Sequence, residues 1–226
     1  AVRENKGPLL AARLAQRVRD LGLADAAEYL GHLQANRGGA EMAHFLDALT
    51  TQYTQFFREP ACFAKLAAEA TAWAEAGVGV VRVWCAAAGT GEEPYTLAMV
   101  LAEALAPTET DFRILATDVS TRALAFAKQG CYPRSRLAQV PSALQARYFE
   151  PIGSMPGADA RVASELRDRV VFKRLNLAAP PFPLRGGLEA VFCRNVLLYF
   201  DSNVQQRVVG EIERLLKPGG LLVGAP

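Results

Sequence analysis

Val80 to Val100 reads VVRVWCAAAGTGEEPYTLAMV, and its three parts decide the fold. Val80 to Cys85 is an apolar, β-branched run that predicts a buried strand. Ala86 to Gly91 is a loop of small residues, and a helix is expected from about Glu93. Gly89 and Gly91 let the backbone turn sharply and let a ligand approach with no Cβ in the way, which makes Ala88 and Gly89 candidate contacts. Pro94 suits the first turn of a helix, where its missing N–H is not needed. A strand, a glycine loop and a helix N-terminus in that order form a site for a nucleotide-like cofactor.

The loop lacks the spacing of two common phosphate binders. It is not G-x-G-x-x-G, because Pro94 stands three past Gly91, and no Lys-Ser or Lys-Thr follows as in a P-loop. Glu92 and Glu93 fall where a pyrophosphate would otherwise rest, and would repel one by roughly several kcal/mol if desolvated. They suit a cation instead. S-adenosylmethionine carries a nucleoside, a sulfonium and an ammonium group, and no phosphate. A plainer reading is that both carboxylates complement the helix dipole.

Working outward, strands are expected at 80–85, 113–117, 170–173, 189–193 and 220–224, with helices at 93–105, 120–129 and 203–216. Such alternation means an α/β fold with a parallel sheet and right-handed crossovers, and ligands bind beyond its carboxyl strand ends. Residues 130–175 break the alternation with turn residues such as Pro151, Gly153 and Pro156, which suggests a small antiparallel subdomain at about 145–172. Residues 1–75 read as a helical N-terminal domain and linker. Leu14, Val18 and Leu21 recur at helical spacing before Gly22, Asp25 can cap a second helix, and further helices are expected at 41–49 and from Pro60 to Trp73. The domains are thus 1–75 and 76–226.

Asp118 ends the strand RILAT, one helix and one strand beyond Gly91. An acid at that topological place accepts hydrogen bonds from ribose hydroxyls; the alternative is helix capping by Asp118 or Ser120. Arg194 and Asn195 follow the apolar run ending at Cys193, as on a site rim. Thr54 to Arg58 sets two aromatics beside an arginine, by default core plus a solvated charge. Arg13, Arg17 and Arg19 cluster on the first helix, either as a solvated face or as a basic surface for an acidic partner.

A net charge of +2 on 226 residues argues against nucleic acid as a partner. Four scattered cysteines without C-x-x-C read as buried free thiols in the cytoplasm, and two histidines without ligand spacing give no metal site. No apolar run reaches membrane-spanning length. The chain starts without Met and stops at Pro226 just after an apolar run, so C-terminal truncation is expected. A monomer is expected.

Six motifs share one order: TQFFRE at 54–59, RVWCAAAGTGEEPY at 82–95, ATD at 116–118, NL at 176–177, FCRNVLLYFD at 192–201 and LKPGG at 216–220. Together they resemble the chemotaxis receptor methyltransferases, the CheR family, over nearly the whole chain. The resemblance implies a helical N-terminal domain followed by a Rossmann-like class I methyltransferase domain holding the β-subdomain. It implies transfer of a methyl group from S-adenosylmethionine to glutamate side chains of methyl-accepting chemoreceptor cytoplasmic domains. By matching motif, Thr54, Arg58, Glu93 and Asp118 would surround the cofactor, joined by Asn176, Leu177, Arg194 and Asn195. Tyr199 would line the transfer site, with Arg58 as its catalytic companion. Gln52 stands where the family often has Asn and is kept as a cofactor contact. The family chain usually continues beyond its PGG strand, whereas this one ends at Gly224-Ala225-Pro226. An inactive receptor-binding adaptor, or a methyltransferase for another substrate, are the alternative readings.

Overall fold

A computed structural model of the chain describes residues 7–35, 41–42, 44–45, 54–153 and 159–224. Helices α1 (Gly7–Asp20) and α2 (Ala26–Ala35) form the N-terminal unit. Asp25 caps α2 by accepting the N–H groups of Ala27 and Glu28 at 2.8 and 2.9 Å, which satisfies donors the helix itself cannot. Val18, Tyr29 and Leu33 are buried there, with Leu14, Met42 and Phe45 packed against them. Arg17 turns inward rather than facing solvent: it donates to Glu41 at 2.9 and 2.5 Å, and the Tyr29 hydroxyl donates to the same carboxylate at 2.7 Å. Arg17 is thus half-buried in an ion pair while Arg19 stays exposed, and the side chain of Arg13 lies outside the described residues.

A segment from Thr54 leads to α3 (Ala61–Glu75). The larger domain then alternates β1 (Val80–Cys85), α4 (Glu92–Leu105), β2 (Asp111–Asp118) and α5 (Thr121–Gln129). Its small antiparallel sheet joins β3 (Cys131–Tyr132), β4 (Phe149–Pro151) and β5 (Ala160–Val162) in the order β3-β5-β4, with α6 (Ser142–Tyr148) between β3 and β4 and α7 (Ser164–Arg167) after β5. This sheet starts ahead of the 145–172 segment, because a two-residue strand has no alternation to read. The chain returns through β6 (Val170–Arg174), β7 (Leu188–Phe192), α8 (Ser202–Leu215) and β8 (Leu216–Val223).

The main sheet runs β6-β2-β1-β7-β8 with every pair parallel. β1 lies between β2 and β7, so the order reverses at its carboxyl end. One core packs Phe63, Leu66, Val83, Leu97 and Tyr132 on one face. A second core packs Trp84, Leu177, Phe182 and Ile212 on the other, as a doubly wound sheet requires. β8 begins at Leu216 rather than 220. Leu188 pairs with Leu216 but Ala190 with Leu221, so Pro218 and Gly219 bulge out where a proline cannot donate to the ladder.

Among the described residues no helix is long and apolar enough to cross a membrane. All four cysteines are free, but only Cys85 and Cys193 are buried; Cys62 and Cys131 are partly exposed.

Candidate active site

The loop after β1 takes its shape from two glycines in left-handed backbone, Gly89 at φ 53° and Gly91 at φ 99°. Gly91 is required twice over: a Cβ there would fall 2.5 Å from the Tyr132 hydroxyl and 2.8 Å from Ala127 Cβ. The loop is tied to the end of β2. Ala88 N–H donates to the Thr117 carbonyl at 2.9 Å, and Gly89 N–H donates to Asp118 Oδ2 at 2.9 Å. The other Asp118 oxygen accepts from Ser120 N–H at 2.9 Å, while Ser120 itself caps α5 through Ala123 N–H. Of the two expectations for capping, Ser120 holds the cap; Asp118 holds the loop.

Glu92 and Glu93 part company at the first turn of α4. Glu92 is fully buried and accepts from Arg136 at 2.6 Å and from the Thr90 hydroxyl at 2.6 Å. Glu93 faces the end of β7. It accepts from Arg194 at 2.8 Å and from the Cys85 thiol at 3.4 Å. Burial pushes the Glu93 carboxyl above its ordinary range, with Arg194 pulling the other way. Burial also opposes the charge on Arg194, but Glu93 and Glu59 outweigh it and hold the guanidinium more firmly protonated. Burial raises Cys193 to about 12 and Cys85 well above the usual thiol range. Both stay neutral thiols near pH 7, which removes them as nucleophiles.

Thr54 to Pro60 crosses this end of the sheet. Phe56 is fully buried between Tyr132 and Phe149, with ring centroids 5.0 and 5.6 Å away. The aromatic pair is thus core, as its plainer reading had it. Arg58 is no stray solvated charge: Nη2 lies 3.4 Å from Asn195 Oδ1 and Nε 3.6 Å from Glu59. Phe57, Glu59 and Asn195 all have positive φ, 53°, 59° and 56°. Such backbone costs on the order of 1–3 kcal/mol per residue and persists where the surroundings impose it, commonly at sites.

The structure thus brings Arg58, Glu93, Arg194 and Asn195 together at the end of β7, beside Ala88, Gly89 and Asp118 at the ends of β1 and β2. Thr54 is half-buried ahead of them. Asn176 follows β6, is exposed, and accepts from Ala178 N–H at 3.0 Å. The Leu177 side chain belongs to the second core, so a ligand contact there falls to its backbone. Tyr199 is 51% exposed on a short 3-10 turn. Gln52 lies outside the described residues. Two clefts flank the group. One of about 450 Å³ is lined by Glu59, Cys62, Arg194, Asn195 and Leu198. The other, about 640 Å³, is lined by Leu33, Met42, Phe45, Arg174 and Asn176. Sequence reasoning missed Glu59, Thr96, whose hydroxyl accepts from Phe57 N–H at 3.2 Å, and Arg136. Arg136 left no local signal, because its partner is forty-four positions away.

These residues fit a cationic nucleoside rather than a nucleotide. The loop from Ala86 to Glu93 holds no Lys or Arg, and the acids at its edge are Asp118 and Glu93. A doubly wound parallel sheet, a small-residue loop after β1 without phosphate-binding spacing and an acid at the end of β2 are the arrangement of the class I methyltransferases that use S-adenosylmethionine. Comparison with known proteins names the family within that class. Residues 52–225 match the CheR methyltransferase SAM-binding domain, and residues 1–50 match the CheR methyltransferase all-alpha domain. The chain is 42% identical to Chemotaxis protein methyltransferase 2 of Pseudomonas aeruginosa, over 96% of this chain and 77% of that one. It is 40% identical to the Chemotaxis protein methyltransferase of Escherichia coli, over 97% and 75%. The chain belongs to the CheR methyltransferase family, and S-adenosylmethionine is its cofactor.

Proposed function

We propose that this protein methylates glutamate side-chain carboxylates on the cytoplasmic domains of chemoreceptors, forming methyl esters, as part of chemotactic adaptation. The supporting observation is the contact of Arg58 with Asn195 at 3.4 Å on the rim where β7 ends, with Tyr199 exposed on the turn that follows. S-adenosylmethionine, when bound, supplies an electrophilic methyl group on sulfonium. A glutamate carboxylate is already ionised near pH 7 and needs no strong base. The protein's work is therefore placement and exclusion of water, which can supply a large share of a rate enhancement.

Asp118 is assigned to the ribose hydroxyls, held in place by its bonds to Gly89 and Ser120. Arg58 is assigned to the cofactor's carboxylate, through its planar fork. Glu93, Thr54 and the backbone at Ala88, Gly89, Asn176 and Leu177 complete the cofactor's surroundings, with Arg194, Asn195 and Gln52. Tyr199 would orient the incoming carboxylate.

The test is a transfer assay with methyl-labelled cofactor and a purified chemoreceptor cytoplasmic fragment. Base-labile label on receptor glutamates, lost when those glutamates become alanine, is the expected result. Label absent from the receptor while the protein still binds S-adenosylmethionine in calorimetry would overturn the substrate assignment.

A further inference from the structure

We propose that Arg194 is a positioning residue: its side chain clamps the turn Phe57–Glu59 and so fixes where Arg58 stands. The proposal rests on the role assigned above to Arg58. Arg194 commits its donors to the protein. Nη1 reaches Glu93 Oε2 at 2.8 Å, and Nη2 reaches the Arg58 carbonyl at 2.7 Å and Glu59 Oε2 at 3.0 Å. The guanidinium carbon lies 5.4 Å from the Phe63 ring centroid, and the side chain is only 3% exposed. Gly224 closes the opposite side, where a Cβ would fall 2.6 Å from Arg194 Cγ. Five groups from four parts of the fold therefore converge on one cation: the linker, α3, the first turn of α4 and the end of β8.

Two of those contacts, to Arg58 and Glu59, land within a strained turn. Phe57 and Glu59 have positive φ on either side of Arg58, and neither is a glycine, so something must impose the conformation. Arg194 supplies that restraint from the carbonyl of Arg58 itself and from the side chain of Glu59. Released, the turn can relax, and the Arg58 guanidinium leaves Asn195. An ångström of displacement at a site costs on the order of a hundredfold in rate, so the clamp acts on transfer through the place it gives Arg58.

The experiment compares the full-length chain with Arg194→Gln, Arg58→Ala and the double variant. Trypsin cleavage of the Arg58–Glu59 bond, followed by mass spectrometry under limiting protease, reports the turn without any methyl acceptor. Losing the charge-assisted bonds to the linker should raise cleavage there by roughly 10- to 100-fold. Affinity for S-adenosylmethionine, by calorimetry, should fall when Arg194→Gln is made in the wild type, and by no more than about twofold further when it is added to Arg58→Ala, since the clamp acts through Arg58. On a chemoreceptor fragment, kcat should fall at least about tenfold in Arg194→Gln, and by no more than about twofold further when added to Arg58→Ala. Unchanged cleavage, or losses of affinity or kcat that simply multiply in the double variant, would each overturn the clamp. Should Arg194→Gln fail to fold, Arg194→Lys keeps the charge and removes only the fork that reaches the linker. A smaller rise in cleavage at the same bond is then expected, and cleavage equal to the wild type would overturn the proposal. Because cleavage and calorimetry need no acceptor, they stand even if the receptor proves not to be the substrate.

Discussion

The two sides of the α4 N-terminus do different jobs with the same chemistry. On the subdomain side, Glu92 pairs with Arg136 and Thr90, and the Tyr132 hydroxyl donates to the Thr90 carbonyl at 2.8 Å. On the linker side, Glu93 pairs with Arg194 and Cys85. Consecutive helical residues point about 100° apart, so neighbours in sequence cannot share a partner. The subdomain side puts its left-handed backbone on a glycine, Gly91, where it carries no strain. The linker side has three non-glycine residues at positive φ and the exposed rim of the site. An ion pair over relaxed backbone fastens one element to another. An ion pair holding strained backbone fixes a geometry, and that is the side on which chemistry is expected.

Glu93→Ala should break the comparison hardest. It leaves Arg194 with Glu59 as its remaining carboxylate, and removing one partner of a buried pair costs about 3 kcal/mol. A melting temperature several degrees lower, together with transfer reduced below what the lost stability accounts for, is expected. Retained transfer at a temperature where the variant is folded would show that the linker side only fastens. Asp118→Ala tests the neighbouring strand end. Loss of a charge-assisted acceptor should weaken S-adenosylmethionine binding by roughly 10- to 100-fold in calorimetry. Equal affinity would remove the ribose assignment.

Glu92→Ala is the matched probe of the subdomain side. Arg136 is 46% exposed and can turn to water, so the cost should be nearer 1–2 kcal/mol. Cofactor affinity should stay within about threefold of wild type, because only a fastening is lost. A drop in affinity as large as that of Asp118→Ala would make Glu92 a site residue and erase the distinction between the sides.

How far this was legible in the sequence depends on the range of the forces involved. Val80 to Cys85 is bounded alike by reading and by structure, because a buried parallel strand writes its apolar run into consecutive residues. The place of Asp118 follows from topology, which alternation reveals. What Asp118 holds does not, since the Gly89 N–H bond depends on two strand ends meeting in space. The TQFFRE motif marks Arg58 and Thr54, yet nothing in it says that Phe57 and Glu59 are strained. That conformation is set by Arg194, more than a hundred positions on. Likewise Arg17 looked like one of three surface cations until Glu41 closed over it. Long-range charge partners are the part a single sequence does not carry.

The smallest effect expected is also the one with opposite signs in two places. Glu93 has a carboxyl raised by burial, so between its ordinary value of 4.5 and its higher folded value the native state binds the proton first. Lowering the pH through that window should stabilise the wild type relative to Glu93→Gln. Glu41 is the reverse. Its bonds from Arg17 and Tyr29 hold the carboxyl below 4.5 against a smaller opposing effect of burial, and the stability they contribute is present above the unfolded value and lost as pH falls through the folded one. The wild type should therefore lose ground to Glu41→Gln as the pH drops below about 4.5. Thermal melts of the two variants beside the wild type, from pH 7 down to pH 3.5, would show one difference widening while the other narrows. If both moved the same way, the Glu93–Arg194 contact would be acting as an ordinary stabilising bridge, and the contrast drawn between a fastening and a positioning pair would lose its electrostatic footing.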